Sequence, residues 1–78
     1  IMIWISIMNN FNSVIIKDII LYFSYETLIG VSRGSTTLIA KNEWSRTTGK
    51  HINYIKKLHN SYFEVEYKEI EEFVNNLF

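Results

Sequence analysis

Residues 44–58 read Trp44-Ser45-Arg46-Thr47-Thr48-Gly49-Lys50-His51-Ile52-Asn53-Tyr54-Ile55-Lys56-Lys57-Leu58. Upstream of this stretch the apolar residues keep the two-residue parity of strands, and within it they change to helical spacing. Ser45 stands where a helix N-cap would, with its hydroxyl placed to accept from the Thr48 amide, and the spacing predicts a helix to about His59. Thr48, Ile52, Ile55 and Leu58 fall on one face with His51 beside them. Arg46, Lys50, Asn53 and Lys57 recur at four, three and four residues along the opposite face. One helix therefore carries a stripe for a core and a separate basic stripe.

Working outward, residues 14–25 are mostly branched or aromatic, with apolar side chains on both parities, which predicts a central strand covered on both faces and interrupted at Lys17-Asp18. After a break at Glu26-Thr27, residues 28–32 form a second strand. Arg33-Gly34-Ser35 supplies the turn, and residues 36–40 return antiparallel. Downstream, residues 62–67 alternate strictly, with Phe63, Val65 and Tyr67 opposite Glu64 and Glu66, as in a half-buried strand near an edge. Ile70, Phe73, Val74, Leu77 and Phe78 then recur at helical spacing, with Glu69, Glu71 and Glu72 where the helix dipole favours anions. The expectation is one small α+β domain over residues 1–78. It has a mainly antiparallel sheet in the order strand-strand-strand-helix-strand-helix, with both helices on one face.

A 78-residue chain buries only about 60 to 65% of the surface it exposes when unfolded, so its core is thin. With 47% apolar residues, 15% aromatic and no proline, the composition is that of a globular protein. The absence of cysteine removes disulfides and thiolate metal sites, and with them any tie to an oxidising compartment, so a cytoplasmic setting is expected. The apolar amino end, residues 1–7, is far short of the ~20 residues of a membrane span. Met8 followed by Asn9-Asn10 reads as a start. This predicts that residues 1–12 hold an N-terminal extension, a poorly ordered arm or an added edge strand. The formal net charge is zero, but residues 41–59 carry Lys41, Arg46, Lys50, Lys56 and Lys57 against Glu43 alone. From residue 60 onward Glu64, Glu66, Glu69, Glu71 and Glu72 face only Lys68.

Two segments carry a resemblance. Ser24-Tyr25-Glu26-Thr27-Leu28-Ile29-Gly30, and then Trp44-Ser45-Arg46-Thr47-Thr48-Gly49-Lys50-His51-Ile52-Asn53, resemble a family of small uncharacterised proteins from bacteriophages, plasmids and bacterial genomes. The pattern of that family is Ser-Tyr-x-Thr-Pro-Val-Ala, a strand, and aromatic-Ser-x-Thr-Thr-x-x-His-x-Asn. Leu28 and Gly30 stand here where the family has proline and alanine. The resemblance implies a mobile-element, phage-like setting and brings no activity with it.

Two readings of the basic stripe stand side by side. In one, the unpaired amides of the helix start, the hydroxyls of Ser45, Thr47 and Thr48 and the cations of Arg46 and Lys50 hold a phosphate, and Asn53 and Lys57 extend the contact along DNA or RNA. In the other, the stripe is the solvated face of a well-capped helix. Gly49 favours the first, because glycine inside a helix costs about 1 kcal/mol relative to alanine and close approach of a ligand would explain it. Packing on the sheet would explain it equally. Trp44 either stacks on a base or packs the helix start onto the sheet.

Gly49-Lys50 is not a phosphate loop, since Trp44 occupies the earlier glycine position and His51 replaces the hydroxyl residue. His51 and His59 are eight residues apart, too far for one metal, and no cofactor is expected. His51 reads as a hydrogen-bonded residue at the core margin. No complete catalytic constellation is present, so the expected function is non-enzymatic nucleic-acid binding. The alternative is a protein-interaction factor that binds a host protein or forms a homodimer.

Overall fold

A computed structural model describes residues 2–78; the reading of Ile1 as part of an extension lies outside them. Five strands form an antiparallel meander: β1 (Met2–Met8), β2 (Phe11–Ile16), β3 (Ile19–Ser24), β4 (Thr27–Arg33) and β5 (Thr36–Ala40). The chain then enters helix α1 (Arg46–Leu58), adds β6 (Phe63–Val65) parallel to β5, and ends in α2 (Tyr67–Leu77). A parallel neighbour cannot be reached by a hairpin and needs a crossover segment; α1 is that segment. The fold is a small α+β one, with a six-stranded, mostly antiparallel sheet in sequence order.

Five strands precede α1 where three were expected, because residues 2–8 add an edge strand and the Lys17-Asp18 interruption is a hairpin turn that divides residues 14–25 in two. Each hairpin turn holds one residue in the left-handed region: Asn10 (φ 61°), Lys17 (56°), Tyr25 (59°) and Gly34 (59°). Asparagine and glycine accept this conformation readily, whereas a residue such as lysine or tyrosine gives up about 1–2 kcal/mol there. Residues 14–25, read as one interrupted strand, are therefore the larger part of the β2–β3 hairpin with the first turn residue beyond it, and the interruption expected at Lys17-Asp18 is its turn. Of the alternatives for the amino end, residues 2–8 form an edge strand paired along its length with β2, and Phe11 is fully buried in the core.

The helices lie on opposite faces of the sheet, which corrects the expectation of a single covered face. Alternation along the strands, interrupted in β4 where the register shifts and Ile29 is the extra residue, sends Phe11, Tyr22, Ile29 and Ile39 to one side, where they pack with Ile52 and Ile55 of α1. Val14, Ile19, Leu21, Val31 and Ala40 go to the other, around Ile70 of α2. The apolar residues on both parities demanded exactly two covers, and one helix can cover only one face. Gly30 lets α1 sit low on the sheet, since a Cβ there would come within 3.3 Å of Ile55 Cδ1.

Three side chains depart from their expected places. Leu58, assigned to the core stripe, is 53% exposed, because His59 takes the inner position at that end of α1 through bonds to Tyr22 and Thr37. Phe63 is 61% exposed on the short edge strand and stays outside the α2 cluster, which reaches only Val65 of β6. Tyr67 opens α2 instead of continuing the strand, and its ring meets Trp44 edge to face at 5.6 Å. Trp44 thus packs against the start of α2 and not onto the sheet.

Candidate nucleic-acid interface

The loop before α1 is set by Asn42, whose carboxamide accepts from the Trp44 amide at 3.0 Å and donates to the Ser45 carbonyl at 3.2 Å. Ser45 has extended backbone and accepts from the Thr48 amide at 3.2 Å, which is the N-cap read from the sequence. Gly49 has its explanation here: a Cβ on it would come within 2.9 Å of Asn42 Nδ2, so the missing side chain makes room for the loop and not for a ligand.

Two polar groups of side chains, one buried and one part-buried, fix α1 at its ends. At the amino end, Ser24 of β3 shares hydrogen bonds with Thr48 Oγ1 (3.0 Å) and His51 Nδ1 (2.7 Å). The imidazole stacks on Phe11 at 4.6 Å, with the planes 9° apart. Burial pushes the His51 pKa down, so the ring is held neutral at pH 7. At the carboxyl end, Tyr22 Oη bonds His59 Nε2 at 2.9 Å, and His59 Nδ1 approaches Thr37 Oγ1, which bonds Ser32. Burial, with Tyr54 nearby, raises the Tyr22 pKa. The Ser24–His51 distance would suit a nucleophile and base, but both side chains are buried, so the contact clamps β3 to α1. Ser24 was not singled out as a site residue in the sequence; its signal was its place in the same motif as Thr48 and His51, and the two segments meet here.

Between these clamps the outer face of α1 is free. Lys50, Asn53 and Lys57, together with Tyr54 and Met8 at the end of β1, line a groove of about 360 Å³. Ser45, Arg46 and Thr47 are exposed at the helix start, but they are not among the groove-lining residues. Thr48 faces inward and is committed to Ser24 and Ser45, which removes it from the ligand-facing set. Of the seven residues proposed from sequence, the structure therefore gathers three in a concavity, leaves three on the adjoining first turn and buries one.

Ion pairing sorts the cations. Lys41 bonds Glu66 at 3.2 Å, Lys56 pairs with Glu64, and Arg33 lies 3.6 Å from Asp18. Among the described residues, Arg46, Lys50 and Lys57 stand in no ion pair, nor do Lys17 in the β2–β3 turn and Lys68 on α2, so the three on α1 are the unpaired cations that share one face. Glu69, Glu71 and Glu72 belong to α2, which packs on the other face, so the charge asymmetry of the sequence becomes a difference between the two faces.

Fold and site together define a small α+β domain with a basic, partly apolar groove along its first helix. The chain belongs to a family of unknown function (DUF8033), whose model matches residues 4–72, from within β1 to within α2. No curated protein and no solved structure matches it. No helix among the described residues is long and apolar enough to cross a membrane.

Proposed function

We propose that this protein binds nucleic acid along α1. The observation that carries the reading is the groove itself: two lysines free of ion pairs, an amide and an aromatic ring line one concavity. Lys50 and Lys57 are seven residues apart, about 10 Å along a helix axis, or roughly three nucleotide rises of one DNA strand. Their ammonium groups suit phosphates about three nucleotides apart, Asn53 can donate to a phosphate or a base edge between them, and Tyr54 with Met8 offers an apolar floor for a base or sugar. Arg46 and Thr47 extend the positive track past the helix start, where unpaired amides also favour anions. A role in a mobile element, as the sequence resemblance implies, is compatible with such binding.

The test is fluorescence anisotropy with single- and double-stranded DNA and RNA oligonucleotides across a salt series. Affinity should fall steeply with salt, and Lys50→Ala with Lys57→Ala should lower the logarithmic slope by about two, near one per phosphate contact. Lys41→Ala, which removes a cation already paired with Glu66, serves as the control and should leave the slope unchanged. Absence of binding at low salt, or a double variant that binds like the parent, would refute the proposal.

A further inference from the structure

Sheets protect their edges, and the two edges of this one differ. β6 is three residues long, carries Glu64, and is followed at once by Glu66 and α2. Such short, charged edges resist strand addition. β1 is seven residues long, and residues 2–16 hold no charged side chain and no proline. Among the described residues, no strand neighbours its outer row of backbone amides and carbonyls. Met2 and Trp4 are 68% and 63% exposed, with Ile3, Ile5 and Met8 also open. The only irregularity is a bulge between Ser6 and Met8, which leaves residues 2–6 regular.

We propose that β1 pairs antiparallel with β1 of a second copy of this chain, giving a two-fold dimer with one continuous sheet. A two-fold axis normal to the sheet pairs each residue with one on the same face, so odd positions meet odd and even meet even. The axis that centres the regular stretch passes at Trp4. It sets Trp4 against Trp4 of the second copy, Ile3 against Ile5, and Met2 against Ser6. On the α2 face, Met2 and Trp4 continue into an apolar groove of about 360 Å³ with Val14, Ile16, Leu21 and Phe23. The second copy's Trp4 would extend this surface.

Two arguments select a second copy over another occupant. The strand is uncharged and symmetric in character about Trp4, so a like strand meets it without repulsion. In this register Met8 lies beyond the paired residues, and Met2, Ile3, Trp4 and Ile5 together expose on the order of 450 Å² per copy, so a pair covers at most ~900 Å², the size of a small, reversible interface. The same operation leaves both α1 helices on one side of the joined sheet, so the two basic grooves would face the same way.

Sedimentation equilibrium of the chain should give twice the 9.3 kDa chain mass at micromolar concentration, and Ile5→Lys should return it to monomer with an unchanged circular dichroism spectrum. The chain has no cysteine, so the register can be tested directly. Under mild oxidation, a mixture of Ile3→Cys and Ile5→Cys chains should crosslink between variants more than either variant does with itself. This readout stands even if Ile5→Lys fails to fold. A monomeric parent chain, open-ended assemblies, or self-crosslinking as efficient as the mixed reaction would overturn the proposal.

Discussion

Replacing Ser24 by alanine removes one oxygen from the most enclosed polar group in the molecule. Ser24 is 1% exposed and bonds both Thr48 and His51. Thr48 keeps a second hydroxyl partner in Ser45 at 3.4 Å, so the loss falls mainly on His51, which is 2% exposed and whose Nδ1 would face a methyl group. A buried polar atom left unpaired costs about 1–3 kcal/mol. We expect about 2 kcal/mol here, against a total stability of about 4–12 kcal/mol for a chain this size. With a urea m-value near 1 kcal/mol/M, the midpoint should fall by about 2 M. Equilibrium unfolding followed by far-ultraviolet circular dichroism measures it. Ser24→Ala introduced into a His51→Leu background should cost less than about 0.5 kcal/mol, because the atom it strands is gone. A Ser24→Ala midpoint within about 0.5 M of the parent, at equal m-value, would refute the clamp.

Other outcomes follow from the same geometry. Because burial lowers the folded-state pKa of His51, the unfolded chain takes up its proton first as pH falls below about 6.5. The contribution is therefore complete above pH 6.5 and is lost as pH drops toward the folded value, with a limiting slope of about 1.4 kcal/mol per pH unit. Urea titrations of parent and His51→Leu should diverge in this window, and parallel curves would contradict it. Gly49→Ala should be near neutral, since about 1 kcal/mol of helix propensity is offset by displacing Asn42. Once Asn42→Ala has cleared the space, the same change should stabilise by about 1 kcal/mol. A Gly49→Ala effect identical in both backgrounds would show that Asn42 is not what the glycine accommodates.

Much of the architecture was legible in the residues because it depends on local chemistry. Ser45 before a helical period marked the start of α1, Gly34 marked one hairpin, and strict alternation placed β6 near an edge. Lys17-Asp18 read only as an interruption, not as a hairpin turn, and Tyr25 read as the last strand residue before the break at Glu26-Thr27; neither Lys17 nor Tyr25 is a turn residue by conformational preference, and pairing across the hairpins holds both at positive φ. The placement of α2 was also missed, although the two-sided apolar pattern of β3 called for a second cover. In the candidate site, the helical stripe was visible as Lys50, Asn53 and Lys57. Its concavity was not, because the opposite wall is Met8, from a strand more than forty residues away. Gly49 pointed to a ligand because the fold of the preceding loop, which brings Asn42 against it, is not written in helical spacing.

The sheet standing between the two helices also divides the molecule thermally. Ile52 and Ile55 answer only to one apolar cluster and Ile70 only to the other. Loss of α2 would wet Val14, Leu21 and Val31 while leaving both α1 clamps closed. α2 has a single buried residue, Ile70, against four in α1. Its amides should therefore exchange with solvent deuterium through a partial opening, well before those of α1 and β3. The groove on α1 can then persist in molecules whose opposite face is transiently bare, so the binding surface and the weakest part of the fold are kept on separate sides.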